Sequence, residues 1–163
     1  MKTIKLADGT DLTLSDGKYE EFKKQFSTPE NVRWRAGRKE EYWFVDEEGD
    51  AWDCIETDST KDEWRYNTGN YFKSESEAEH HKQVLLATQK IKDYALQFGY
   101  TPDWSNVDEF KYEVIYYHDI KKLNVYIRTS SQFSTLPYYR TSDDAYKAIK
   151  ELEAEYKLVF GVE

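Results

Sequence analysis

Tyr71-Phe72-Lys73-Ser74-Glu75-Ser76-Glu77-Ala78 and Tyr138-Tyr139-Arg140-Thr141-Ser142-Asp143-Asp144-Ala145 follow one pattern. Each runs through two aromatics, a base, a hydroxyl, two variable positions, an acid and an alanine. Self-similarity of this kind marks one supersecondary unit used twice. Ser74 and Thr141 read as helix N-caps, and Glu77 and Asp144, three residues on, as their capping-box partners. The aromatics and alanines then belong to the core, while Lys73 and Arg140 face solvent.

Working outward from the first copy, the helix predicted from Ser74 runs to about Phe98. Val84, Ala87, Ile91, Tyr94, Ala95 and Phe98 share one face, and Gly99 stops it. Ahead of the repeat, Glu41–Val45 and Ala51–Ile55 read as strands about the turn Asp46-Glu47-Glu48-Gly49, followed by a loop through Glu63. The second copy is preceded in the same way by strands at Lys111–Tyr117 and Leu123–Thr129 and a loop over Ser130–Pro137. Its helix carries the stripe Ala145, Ile149, Leu152 and Tyr156. At the N-terminus, Ile4/Leu6 and Leu12/Leu14 alternate about Asp8-Gly9, a hairpin signal. A helix bearing Tyr19, Phe22 and Phe26 follows and is stopped before Pro29.

The expected fold is therefore α+β, with an N-terminal β-hairpin and helix followed by two repeated modules of antiparallel strands then helix. The boundaries fall at residues 1–30, 31–100 and 101–163, and the last two segments are able to share one continuous domain. The aromatic content of 17% gives a chain of 163 residues enough apolar area to close a core despite a mean hydropathy of −0.92.

The net charge is −9. Almost all of it lies in residues 46–63, where Asp46, Glu47, Glu48, Asp50, Asp53, Glu56, Asp58, Asp62 and Glu63 stand against Lys61 alone. Strong binding to free DNA needs clustered cations, so this charge argues against it and fits a basic partner. A single Cys54, no apolar stretch of membrane-spanning length and no apolar leader in Met1–Thr10 point to the cytoplasm and to no membrane association.

Three groups of residues are candidates for contact with a partner. The hairpin presents Lys2, Lys5, Asp8, Thr10 and Asp11 on a ribbon shaped for a groove or an interdomain cleft. Arg33 and Arg35 flank Trp34, a combination able to hold phosphate and stack a base. The acidic stretch offers Glu47, Glu48, Asp50 and Asp58, to be weighed against an ordinary solvated turn and loop. His80 and His81 are adjacent on a helix and point apart, with His81 toward the core, so they do not chelate one ion. Asp46-x-Glu48-Gly49-Asp50 lacks EF-hand spacing. No metal and no cofactor is expected, and no catalytic motif is present. Cys54 reads as a buried structural thiol.

Ile4-Lys5-Leu6-Ala7-Asp8-Gly9-Thr10 with the short Tyr/Phe helix, and Gly69-Asn70-Tyr71-Phe72-Lys73-Ser74 with Glu77-Ala78-Glu79, resemble small accessory proteins of bacteriophages and mobile elements of Gram-positive bacteria. The resemblance covers most of the chain as composition and turn pattern, and it extends to the anti-CRISPR class that inhibits the type II CRISPR nuclease. It implies a counter-defence role in the bacterial cytoplasm, with a CRISPR nuclease and its guide RNA as partner. Inhibition would come through an occupied cleft, blocked guide loading, or loss or truncation of the guide. The class shares no active-site motif, so it transfers no functional residue. Guide-RNA cleavage by the chain itself and a phage accessory role without a defence target are the alternatives.

Overall fold

A computed structural model of the chain describes residues 2–5, 11–19, 21 and 33–162. The chain divides into two compact units, residues 1–35 and 36–163. In the first, β1 (Lys2–Lys5) and β2 (Asp11–Leu14) form an antiparallel ladder with Thr3 opposite Thr13 and Lys5 opposite Asp11. Residues 16–19 are helical, and the Lys2 ammonium lies 4.8 Å from the Tyr19 ring. The expected turn at Asp8-Gly9, and Phe22 and Phe26 of the expected helix, lie outside the described residues.

The second unit is α+β with antiparallel strands. Its elements are β3 (Glu41–Val45), β4 (Ala51–Ile55), α1 (Thr60–Thr68), α2 (Glu75–Leu96), β5 (Lys111–Tyr117), β6 (Lys122–Arg128), β7 (Tyr138–Tyr139), α3 (Ser142–Glu151) and α4 (Glu153–Val159). The two copies of the repeat occupy equivalent places. In each, a hairpin is followed by a segment that pairs with the hairpin's first strand, an isolated bridge in the first copy and the two-residue β7 in the second, and then by a capped helix. Phe72 bridges Trp43 on β3, and Tyr139 pairs with Tyr112 on β5, which puts β5 at the centre of the order β6-β5-β7.

Residue chemistry explains each part of the repeat. Ser74 Oγ accepts from Glu77 N–H, and Thr141 Oγ1 accepts from Asp144 N–H, satisfying donors that a helix start leaves open. Glu77 returns its bond to Lys73 N–H, one residue short of a strict capping box. The leading tyrosine of each copy ties down backbone with its hydroxyl. Tyr71 Oη accepts from Ala36 N–H, and Tyr138 Oη accepts from Phe133 and Ser134 N–H. Ala78 and Ala145 are fully buried, so each helix approaches its sheet closely.

The larger core joins Ile91 of α2, Val114 of β5 and Tyr139 of β7 with Ala145, Ala148, Leu152 and Tyr156 of the last helices. Full burial of Ile91, Val114 and Leu152 contributes about 1.5–3 kcal/mol each. The smaller core gathers Ala36, Tyr42 and Tyr71. Buried Lys111 donates from Nζ to the carbonyls of Asn106, Glu109 and Thr129 at 2.8–3.1 Å, which uses all three ammonium protons and fastens the segment before β5.

Two features depart from the expectation. Residues 60–68 form α1 where a loop through Glu63 was expected. The final helix is divided at Leu152, whose φ of −128° and ψ of 32° leave the helical region while its side chain stays buried.

Candidate functional site

The acidic stretch separates into acids that hold the fold and acids that face outward. Tyr42 and Phe44 project from one side of β3, and α1 packs on that side. Asp62, 2% exposed, accepts at Oδ1 from Tyr42 Oη at 2.7 Å. Its Oδ2 accepts from the backbone and hydroxyl of both Thr57 and Ser59 at 2.8–3.0 Å. Burial alone would raise the Asp62 carboxyl, but these bonds, led by Tyr42 and Ser59, outweigh it and hold the group well below the usual carboxylate range. Ser59 and Asp62 also close a full capping box on α1. Glu56, 1% exposed, accepts from Tyr71 Oη at 2.7 Å and from Asp58 N–H at 2.9 Å.

The rings of Tyr42 and Tyr71 stack at 3.9 Å between centroids, and Arg65 Nη1 donates to Tyr42 Oη at 2.8 Å. Burial raises the Tyr42 phenol, so the network holds a neutral tyrosine between a carboxylate and a guanidinium. Its carboxylates are closed to solvent, which leaves them no surface on which to act as acid or base toward a substrate. The solvated reading of the whole stretch therefore fails at Glu56 and Asp62. Asp46 is also structural, since its Oδ1 accepts from Glu48 and Asp50 N–H and so shapes the turn. The bond from Asp50 leads the causes that lower its carboxyl.

The remaining acids present charge. Glu47, Glu48 and Asp50 are exposed together on the β3–β4 turn, and Asp50 lies 3.6 Å from Lys82 Nζ. Asp58 is at the opposite end of β4, about 17 Å away by strand rise, and pairs with Arg38 Nε at 3.7 Å. Asp53 and Glu63 are exposed as well. Two tryptophans stand among these charges, Trp52 at 54% exposure and Trp64 at 67%. Trp52 opposes Phe44 across the hairpin, and Trp64 shares with Phe44, Asp46, Glu47, Lys61 and Arg65 a groove of 410 Å³. The Arg65 guanidinium lies 3.4 Å from the centre of the Phe44 ring and forms part of the groove's wall.

Comparison with protein-family models, with characterised proteins and with solved structures finds no match. The surface is therefore read from its own chemistry.

In the first unit, Lys2 and Asp11 are exposed, Arg33 is exposed and Arg35 is half-buried. Lys5 is placed by backbone register opposite Asp11, while Asp8 and Thr10 lie outside the described residues. These positions and the acids of residues 46–63 belong to different units. Trp34 is 37% exposed. Cys54 is only half-buried, against the small core that contains Tyr42. Trp52 and Trp64 were not singled out from the sequence, although one tryptophan inside the acidic stretch and one directly after it were a visible signal. Among the described residues, no helix is long and apolar enough to cross a membrane, and no group of three His, Cys, Asp or Glu side chains is placed to hold a metal ion.

Proposed function

We propose that this chain is an interaction protein that lays the acidic, tryptophan-bearing surface of residues 41–70 on a basic groove of a nucleic-acid-handling effector. In the counter-defence role implied by its resemblance, that effector is a type II CRISPR nuclease with its guide RNA, in the host cytoplasm. The observation that carries the reading is the exposure of Trp52 and Trp64 among Glu47, Glu48, Asp50, Asp53 and Glu63. Tryptophan is enriched among the residues that dominate interfaces, and a carboxylate rim steers a basic partner and fixes its register. The buried Tyr42–Asp62–Arg65 network supports the surface by fixing α1, which carries Trp64, against the hairpin that carries Trp52.

The test is DNA cleavage by a purified type II nuclease–guide complex with and without the chain, with the guide examined afterwards on a denaturing gel. Occlusion predicts suppressed cleavage with an intact guide. Trp64→Ala and the triple variant Glu47→Lys, Glu48→Lys, Asp50→Lys should each restore cleavage while leaving the melting temperature unchanged, because these side chains are exposed. Unaltered cleavage across a panel of such nucleases removes the counter-defence reading. A shortened guide replaces occlusion with guide truncation.

A further inference from the structure

The second copy of the repeat carries a different device on the corresponding side of its sheet. Lys122, Asn124, Tyr126 and Arg128 alternate onto one side of β6, opposite to Leu123 and Val125, which pack on the core. Arg128 Nε donates to Oε1 of buried Glu113 at 2.6 Å, which fixes the guanidinium plane. That guanidinium lies 4.6 Å from the centre of the Tyr126 ring and 4.9 Å from that of Phe133. Phe133 is 80% exposed, yet its backbone is anchored because Phe133 and Ser134 N–H both donate to Tyr138 Oη. An aromatic ring held out to water on a fixed backbone beside a fixed guanidinium is prepared to stack on a flat partner before that partner arrives.

Charge narrows the choice of partner. Residues 112–141 contain Lys121, Lys122, Arg128 and Arg140 against Glu113 and Asp119, a cationic stretch in a chain of net charge −9. A groove of 240 Å³ opens beside the stack between Ile115, Arg128, Phe133 and Phe160. We propose that Tyr126, Arg128 and Phe133 form a stacking site for an unpaired nucleobase of single-stranded nucleic acid, with Lys122, on the same side of β6 and about 20 Å along it from Arg128, taking a phosphate some three nucleotides away. Base–aromatic stacking tolerates any base, and aromatic rings with arginine planes are the recurrent platform for splayed single strands. An acidic peptide would satisfy the cations but would leave the Phe133 ring unstacked. The strongly negative remainder of the chain keeps the affinity modest and dependent on salt. The site stands on its own geometry and does not depend on the partner proposed above.

Fluorescence anisotropy tests it, with the full chain titrated at low salt into a fluorescein-labelled uridine decamer, a thymidine decamer, a duplex of equal length and an oligoglutamate peptide. Saturable binding of either single strand, with the duplex weaker, is expected, and the two single-stranded arms tell RNA from DNA. Phe133→Ala should weaken binding about tenfold or more. It should leave thermal melting unchanged, since the ring is mostly exposed. Lys122→Glu should reduce the salt slope by about one phosphate contact. The proposal is overturned if neither single strand saturates below roughly millimolar protein. It is also overturned if Phe133→Ala and Tyr126→Ala bind as the wild type does, if the duplex binds as well as the single strands, or if oligoglutamate binds with the same dependence on Phe133.

Discussion

Asp62→Asn should destabilise the first module's outer layer by an amount that can be worked from its hydrogen bonds. The carboxylate accepts five bonds at 2.7–3.0 Å and is 2% exposed. An asparagine must set its NH₂ at one of the two oxygen positions. At Oδ2 it would face four donors, whereas at Oδ1 it faces the Tyr42 hydroxyl, which also receives a bond from Arg65. The second placement is the lesser loss. It strands one buried hydroxyl proton, at about 1–3 kcal/mol, and turns four charge-assisted bonds into neutral ones, for a combined loss of about 3 kcal/mol once overlap between the terms is allowed for. For a chain of this size that corresponds to a melting temperature lower by roughly 6–12 °C. The dependence on pH supplies a second check. The Asp62 carboxyl is depressed in the folded state, so its stabilisation is fully present above the unfolded value of about 3.9 and is lost as pH falls below it. The difference between wild type and variant should thus be widest near neutral pH and shrink below about pH 4, because asparagine does not titrate. Circular-dichroism melts at neutral and acidic pH measure both. Equal melting temperatures at neutral pH, or a difference that does not narrow on acidification, would refute the assignment of Asp62 as the anchor of α1.

Two further substitutions probe the other parts of the architecture. Tyr139 and Tyr156 are fully buried with their hydroxyls 2.8 Å apart, so Tyr139→Phe or Tyr156→Phe alone strands a hydroxyl at about 1–3 kcal/mol, while the double variant recovers part of that loss. Urea denaturation of the four proteins should show this coupling, and strictly additive losses would dismiss the pair. Gly69 ends α1 at a φ of +90°, where an added Cβ meets nothing within 4 Å. Gly69→Ala should therefore cost about 1–2 kcal/mol from backbone strain alone, seen as a lower urea midpoint. An unchanged midpoint would show that Gly69 is not what stops this helix.

The repeat was legible because caps demand particular residue types at fixed offsets. Ser74 with Glu77 and Thr141 with Asp144 announced two helix starts in a form that tertiary packing does not disguise. The same grammar was present at Ser59-Thr60-Lys61-Asp62 and at Gly69, yet α1 was passed over. Apolar periodicity dominates the reading of a helix, and α1 has little, since Trp64 faces water and the helix is held by Asp62 and Arg65. The inward turn of Glu56 and Asp62 was not legible at all. Whether a carboxylate is buried depends on donors brought to it by the fold, and theirs include Tyr42 and Tyr71, which lie elsewhere in the chain. Composition counts charges and does not distinguish those that hold a structure from those that address a partner.

The two copies differ chiefly in the segment between hairpin and bridging aromatic, and that is where surface character is decided. In the first copy the segment folds into α1, whose Arg65 covers Phe44 and whose Trp64 is presented beside acids. In the second it is the loop ahead of Tyr138, which brings Phe133 to Arg128 at the end of β6. Both place an arginine against an aromatic ring beside the hairpin. The hairpin, the bridging aromatic and the capped helix supply stability and tolerate few changes, because their residues are buried or cap helix ends. The intervening segment is bound by fewer such constraints, so one duplicated scaffold carries an anionic surface on one copy and a cationic, aromatic one on the other.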